Sequence, residues 1–310
     1  MSKPKTLAGK TLVDTETGKY LDGKKFIVYN NKTAEQQEKE AEQTKEKSEN
    51  FKRNLGIIEK ELLHLCGHYF HLWYQDMIEE NKKEEDKLLP QMAVRLLRLA
   101  CEMDYNNVVK NIIFPSDELC KVLKLKERET FKTIKYLEDN GFIEILDNKK
   151  IKILKFVNRG SLNMERVEIL QNNICKVFNN GFKELYDNLY DKNKETGKLL
   201  YNSKKQKNLF YFILLLPYCN IDYNVICKNP LEKDGEKIQP LSWKEIFEIL
   251  GVSERTSSRV KKLLFSLQIK DRNAIMELTT GTGKSVTINP RLFYRGKYKE
   301  FSKQFSIFFN

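Results

Sequence analysis

The chain has 310 residues, of which 40% are hydrophobic and 32% charged, and this composition is typical of a soluble, folded protein of about two domains. Lysine and arginine outnumber aspartate and glutamate by 55 to 43, and the formal charge of +12 favours a polyanionic partner such as nucleic acid. The longest apolar run, 209–219, is too short to span a bilayer, and the six scattered cysteines lack the pattern of a secreted disulfide framework, so we expect a cytoplasmic protein without membrane contact.

The N-terminal region, residues 1–54, is predicted to form an arm and a charged linker. Turn-like stretches surround the β-rich piece FIVY (26–29), which predicts a small hairpin or an arm. Residues 33–54 contain almost no apolar side chains and form either a solvated helix or a disordered linker. This region therefore builds no core of its own, and it serves either as a solvated arm or as a dimer contact.

All three histidines lie in one stretch, 57–78, whose periodicity predicts an aromatic helix. His64 and His68 share a helical face and His71 lies one turn beyond His68, so two or three of them can ligate zinc. No H-E-x-x-H pattern accompanies them, and hydrolytic chemistry therefore has little support. An aromatic core helix that contains histidines is the favoured interpretation. We predict no metal or cofactor, and we leave ligation by these histidines open.

The segment 116–157 has the pattern of two short helices followed by a β-hairpin. The helices are predicted over 116–123 and 127–140, with a tight turn at Lys124 and Leu125. The strands FIEILD and IKILKF follow, separated by the turn NKK at 148–150. On the second helix the apolar spacing predicts a buried stripe formed by Thr130, Ile134 and Leu137.

A linking helix is predicted over 161–204, with LNMERVEILQNNICKVFNNGFKELYDNLY (162–190) as its main part. It joins a first domain, 55–160, to a second domain, 205–310. The second domain contains the loop-rich insertion KNPLEKDGEKIQP (228–240).

The second domain repeats the pattern of two helices and a hairpin. SWKEIFEILG (242–251) begins with the capping residue Ser242 and stops at a glycine, and a second helix follows over 253–267. Its expected buried stripe consists of Thr256, Val260, Leu263 and Leu267. The strands AIMEL (274–278) and SVTINP (285–290) then flank TTGTGK.

The run LTTGTGKS (278–285) looks at first like the phosphate-binding loop of a nucleotide hydrolase. That loop requires a glycine where this chain has Leu278, and it opens a helix, whereas here a β-branched alternation follows Lys284. The glycines are therefore predicted to lie at the tip of a hairpin. No pairing of nucleophile and base stands out, and we predict that the chain is not an enzyme.

The two halves are copies of one unit. ELCKVLKLKER (118–128) aligns without a gap with EIFEILGVSER (245–255), and CEMDYNNVV (101–109) is echoed by CNIDYNVI (219–226). Two short helices followed by a hairpin resemble a winged helix in both copies, over 88–157 (the first copy) and 205–296 (the second copy). The second half as a whole, with its hairpin running into INPRLFYRG, resembles the winged-helix replication proteins and regulators of plasmids and phages of low-GC Gram-positive bacteria.

The resemblance implies an α+β, mainly α fold with two tandem winged helix-turn-helix domains, and sequence-specific binding of double-stranded DNA. Initiation of plasmid or phage replication is the favoured role, transcriptional repression or activation in a mobile element is the alternative, and a P-loop nucleotide-binding enzyme is the remote one. The implied partners besides DNA are a second copy of the chain and host replication or transcription machinery. The implied location is the bacterial cytoplasm, in association with nucleoid or plasmid.

The predicted DNA contacts lie on the second helix of each pair and on the hairpins. Arginine near the start of such a helix suits guanine, whereas lysine, serine and threonine suit phosphates; ordinary solvated charges are the alternative interpretation. In the first copy the contacts are Arg128, Lys132, Lys135, Lys149 and Lys150. In the second copy they are Arg255, Ser257, Ser258, Arg259, Lys262, Thr282, Lys284 and Arg291. Phe131 contacts a thymine methyl if it lies outside the core stripe, although packing is the favoured fate of this side chain.

Overall fold

A computed structural model describes residues 5–6, 27–28, 66–83, 88–159, 173–192, 196–269, 272–280 and 283–295. The chain divides into two compact units, Met1–Ile57 and Ile58–Asn310. In the first unit the described residues form one antiparallel pair of short strands, β1 (Lys5–Thr6) and β2 (Ile27–Val28). The described residues of the second unit form a mixed α/β structure with eight α-helices and several small antiparallel sheets.

The first half of the second unit contains two helices joined by a three-residue turn, 124–126, together with strands of two sheets. Its elements follow in the order β3 (Tyr69–Trp73), α1 (Tyr74–Lys82), α2 (Pro90–Ala100), β4 (Val108–Ile113), α3 (Asp117–Leu123), α4 (Glu127–Asp139), β5 (Ile143–Ile145), β6 (Lys150–Ile153) and β7 (Val157–Asn158). Strands β4, β6 and β5 form an antiparallel sheet in that order. The predicted hairpin of the first copy is confirmed as the β5–β6 pair.

The turn between α3 and α4 follows from local chemistry. The Ser116 hydroxyl oxygen accepts a hydrogen bond from the Leu119 amide, which satisfies a free donor at the start of α3. Lys124 ends α3 with a left-handed backbone, φ 53°. On α4 the predicted stripe of Thr130, Ile134 and Leu137 is buried, as the apolar spacing requires.

The second half begins with a strand where a helix is predicted. Its elements are β8 (Ile174–Phe178), α5 (Asn179–Asp187), β9 (Tyr190–Lys192), β10 (Leu199–Tyr201), α6 (Phe210–Leu215), α7 (Trp243–Ile249), α8 (Glu254–Ser266), β11 (Gln268–Ile269), β12 (Arg272–Asn273), β13 (Ile275–Thr280), β14 (Gly283–Ile288) and β15 (Phe293–Tyr294). The prediction of one continuous linking helix over 161–204 is therefore wrong at β8. ICKVF is extended because β3 and β15 pair with its two edges.

Helices α7 and α8 and the hairpin after them match the sequence prediction. Ser242 and Glu245 form a reciprocal capping box at the start of α7. Gly251 follows α7 with φ 63°, and it aligns with the left-handed Lys124 of the first copy. Strands β13 and β14 pair antiparallel from Ile275↔Ile288 to Thr280↔Gly283.

A four-stranded sheet in the order β15-β8-β3-β7 joins the two halves. Its central pair, β3 and β8, is antiparallel with His71 opposite Lys176 at its middle. Each central strand runs directly into a helix, α1 or α5, and each receives an outer strand that follows the hairpin of its own half. The two halves are therefore arranged about an approximate two-fold axis through the β3–β8 pair.

The echoed segments of the two copies both form a turn closed by a β-bridge, and the turn of the second copy is one residue longer. Asn107 and Asn224 both have left-handed backbones, with φ 61° and 50°. Short bridges close both turns, Met103↔Val109 in the first copy and Cys219↔Ile226 in the second. One cluster of buried apolar side chains runs through both halves, from Phe70 to Phe293. The domain boundaries at 54/55, 160/161 and 204/205 stay predictions.

No helix in the described part of the chain is long and apolar enough to cross a membrane.

Candidate nucleic-acid interface

One face of α8 is lined by exposed polar and basic side chains. Their spacing of three, four and seven residues places them on the same side of the helix. They are Arg255, Ser258, Arg259 and Lys262. Among the described residues, none of the three cationic groups on this face forms an ion pair. This face therefore presents available positive charge and hydrogen-bond donors.

The inward side of α8 differs from the predicted stripe by one residue. Thr256 is exposed, whereas Leu264 is fully buried and Ser257 is half-buried. The Ser257 hydroxyl donates to the Glu254 carbonyl at 2.7 Å. Ser257 consequently lies on the inward side and not with the predicted DNA contacts, because the helix is rotated by about one residue relative to the apolar pattern. In the gap-free alignment of the two copies, Ser257 corresponds to Thr130, which is buried.

The exposed face of α4 matches that of α8 position by position. Under the same alignment, the basic side chains Arg128, Lys132 and Lys135 correspond to Arg255, Arg259 and Lys262. All three residues on α4 are exposed, and none of them is ion-paired with another described residue. The fourth position of the face differs, with Phe131 on α4 and Ser258 on α8. Both helices thus present three cations in one arrangement.

A buried cation next to the first helix pair is fully paired. Arg95 on α2 is 3% exposed and donates to Gln206 Oε1, Thr133 Oγ1 and Glu129 Oε1 at 2.6–2.8 Å. This guanidinium fixes the start of α4 against α2 and against the second half of the chain. Gln206 extends the contact by donating to the Leu123 carbonyl at the end of α3. Sequence patterning did not identify this network, since its members lie far apart in the chain.

A second anchor sits at the base of the β13–β14 hairpin. Glu277 accepts hydrogen bonds from the Trp243 indole at 2.7 Å and from Lys261 at 3.2 Å, and it forms an ion pair with Lys284 at 3.1 Å. The indole, then the two ammonium groups, hold the pKa of Glu277 at about 2. Lys261 also lies 4.6 Å from the centre of the Trp243 ring. Glu277 therefore ties α7, α8 and the hairpin together.

Replacing Glu277 with glutamine is expected to destabilise the protein by about 1 kcal/mol at pH 7, because the carboxylate is partly exposed and its ion pairs are screened by water. The folded pKa of Glu277 is lowered, so its contribution is present above the unfolded pKa near 4.5 and is lost as pH falls toward 2. Chemical unfolding at pH 7 and pH 3 checks this. If the difference in unfolding free energy between the parent chain and Glu277→Gln grows on acidification, the assignment is contradicted. Glu236→Gln, in the exposed insertion, is the control.

The predicted hairpin contacts occupy different environments. Lys149, with φ 61°, and Lys150 lie exposed in the tight β5–β6 turn, where the Lys149 amide donates to the Leu146 carbonyl. Lys284 is 71% exposed although Glu277 pairs with it. Thr282 lies outside the described residues. The two hairpins therefore place at least one lysine each at the surface beside the helix faces.

Arg291 lies after the hairpin and not on it. Arg291 is half-buried in the turn that leads to β15, and this burial is the main reason why the pKa of its guanidinium is lowered. The Arg291 carbonyl oxygen approaches Gly181 on α5 so closely that a Cβ added to Gly181 would lie only 2.2 Å from it. This close backbone contact therefore requires glycine at that position of α5. Arg291 is therefore less accessible than the predicted cationic contacts on α4 and α8, and its DNA contact stays a prediction.

The GTGKS segment does not open a helix. Gly283 and Lys284 are the first residues of strand β14, which pairs with β13 in the hairpin. A phosphate-binding loop places its amides at a helix N-terminus, and the described part of this segment lacks that feature.

His68 and His71, the two histidines in the described part of the chain, do not lie on a helix. His68 precedes β3 and His71 lies within it, opposite Lys176, so the predicted helix over 57–78 is wrong at this strand. Burial, followed by the nearby Lys176, lowers the pKa of His71 to about 4. The described residues contain no group of three histidine, cysteine or acidic side chains that could hold a metal ion. His64 lies outside them.

Comparisons of the chain with protein-family models, with curated proteins and with solved structures returned no match. Functional assignment therefore rests on the two matched helix faces and their surroundings.

Proposed function

We propose that this chain binds duplex DNA sequence-specifically, with α4 and α8 as the recognition helices of two winged-helix units. The observation that carries the proposal is the match between the two faces. Three cations occupy aligned positions on each helix and are exposed, whereas the inward cations Arg95 and Lys261 are paired with carboxylates. A merely solvated surface does not require this repetition.

The order of elements supports the winged-helix part of the proposal. In the first copy α2 is followed by β4, then by the α3–α4 pair and the β5–β6 hairpin, and the sheet order is β4-β6-β5. The second copy has a similar succession, but the short β11–β12 pair precedes its hairpin, and a single bridge, Val225↔Thr287, stands where the first copy has a full strand. In such a unit the second helix enters the major groove and the hairpin follows the phosphate backbone.

The approximate two-fold axis through β3 and β8 determines how the two units meet DNA. Protein two-fold symmetry is mirrored in the symmetry of a bound site, so the two half-sites are expected to run in opposite orientations. Recognition helices in successive major grooves lie about 34 Å apart, and the protected region is about 20 base pairs. Because the helix faces differ at two of four positions, Phe131 against Ser258 and Lys132 against Arg259, the half-sites are related but not identical.

The proposed role is initiation of plasmid or phage replication, in which the two unequal units bind an origin repeat and the protein recruits host machinery. Regulation of transcription uses the same DNA contacts. Footprinting on DNA from the chain's own replicon separates the two roles: iterated protected repeats support replication, and a single protected promoter supports regulation. Absence of protection over the whole replicon contradicts both.

Binding is expected to weaken steeply with salt. If Arg128 and Arg255 contact bases, the other four matched cations and the three hairpin lysines neutralise about seven phosphates, which predicts a slope of log affinity against log salt of about −5 to −7. Changing Arg255, Arg259 and Lys262 together to alanine is expected to make that slope less steep by about 2. Fluorescence anisotropy over a salt series measures it. Lys233→Ala, in the exposed insertion, is the control; an equal change in that variant, or a flat response in the parent chain, contradicts DNA binding through α8.

A further inference from the structure

We propose that Phe131, supported by Phe114, forms a subsite for the C5-methyl group of thymine, so that the half-site bound by the first copy contains a T·A pair opposite the middle of α4. This inference rests on the proposed DNA binding and names what the first copy recognises. It assigns a specificity-determining contact to an apolar side chain within the basic face.

The observation that motivates the subsite is an apolar pair beside the recognition helix, Phe131 and Phe114. Phe131 is 50% exposed, whereas Phe114 is partly buried. The Phe131 ring packs on Phe114 with ring centres 5.3 Å apart and planes tilted by 34°. This contact holds the ring in place while leaving one side open. Phe131 is thus neither a core residue nor a freely rotating surface side chain.

The surroundings of this apolar pair are basic. On α4, Arg128 precedes Phe131 by one turn, and Lys132 and Lys135 follow it. The hairpin is adjacent, because Ile113 pairs with Lys150 in the sheet and the Phe114 amide donates to the Lys149 carbonyl at 2.9 Å. The five basic side chains of α4 and the hairpin outnumber the one exposed carboxylate beside Phe131, that of Glu127, so a protein partner would need matching carboxylates. DNA supplies the phosphates at the rim and an apolar group between them.

Thymine is the base that fits this chemistry. Its C5-methyl is the apolar group presented at the edge of the major groove, and phenylalanine is among the side chains that contact it. The corresponding position of the second copy is Ser258, which offers a hydroxyl in place of a ring. The two copies therefore differ in what they recognise at one aligned position: thymine in the first and a polar base edge in the second.

The test uses DNA selected from random duplexes by the full-length chain. Thymines of the selected site are replaced one at a time by deoxyuridine, which removes the methyl group and leaves base pairing intact. The parent chain is expected to lose about fourfold in affinity at one or two thymines of the first half-site, equivalent to about 0.8 kcal/mol for one buried methyl. Phe131→Ser, which copies the second unit, is expected to bind the thymine site about fourfold more weakly and to show no further loss with deoxyuridine.

The matched control is Ser258→Ala, for which the deoxyuridine sensitivity of the first half-site stays unchanged. Equal loss with deoxyuridine in the parent chain and in Phe131→Ser overturns the subsite, as does a selected site without thymine in that half. Failure to select any DNA at all contradicts the proposed function and is distinguishable from either result. Retained affinity of Phe131→Ser for the second half-site alone shows that the variant is folded.

Discussion

Replacing Arg95 with methionine is expected to lower the free energy of unfolding by about 3 kcal/mol, since it leaves buried polar groups without partners. Gln206 and Thr133 are fully buried acceptors of this guanidinium. Glu129 is half exposed, so its carboxylate is solvated by water once Arg95 is removed and contributes less to the loss of stability. The expected loss is therefore at the lower end of the range for breaking a buried ion pair. Denaturant unfolding followed by circular dichroism measures the change.

Two further variants make the prediction specific to the network. Arg128→Met, on the exposed side of α4, is expected to change stability by less than about 0.5 kcal/mol. Gln206→Leu alone is expected to destabilise, and the double variant is expected to lose less than the sum, because the two side chains are hydrogen-bonded partners. A loss in Arg95→Met no larger than that of Arg128→Met contradicts the structural role assigned to Arg95.

Replacing Arg255 with alanine is expected to weaken binding to a selected DNA site by about 1–3 kcal/mol and to relax the preference at one or two base pairs. Arg255 lies in the first turn of α8 on the exposed face, where a guanidinium can reach the edge of a guanine. Lys262→Ala is the matched control, because a phosphate contact weakens specific and random DNA alike. Selection from random duplexes with each variant shows which base pairs change.

Arg128 occupies the aligned position on α4, so its replacement is expected to affect the other half-site, displaced by about one helical turn. The double variant is expected to lose nearly the sum of the two single losses, because the side chains lie in different copies and share no partner. Equal losses on specific and random DNA in both variants mean that the arginines bind phosphates only. Base recognition must then be assigned to other residues.

Local chemistry in the sequence was sufficient for much of the DNA-binding unit. Ser116 and Ser242 are capping residues, Gly251 ends a helix, and alternating residues flank a short turn in both hairpins, and all of these features appear as expected. They depend on neighbours within a few residues along the chain. The same holds for the Thr130, Ile134 and Leu137 stripe, and for the strand that follows GTGKS.

Tertiary contacts decided the features for which local patterns were ambiguous. ICKVF and YFHLW are strands because they pair with each other across about a hundred residues, and the pairing buries apolar side chains of both, Phe70 and Leu72 with Cys175 and Val177. The rotation of α8, which turns Ser257 inward, depends on Leu264 and on the pairing of Lys261 with Glu277.

The same division applies to the candidate interface. The sequence by itself determined that Arg128, Lys132 and Lys135 recur as Arg255, Arg259 and Lys262, because helical spacing alone brings each set to one face. Only the tertiary structure decided that Arg95 is a buried anchor, that Lys284 is paired and that Phe131 stays half exposed. Whether a charged or aromatic side chain faces water or a partner depends on residues distant in sequence, and a local pattern contains no information about them.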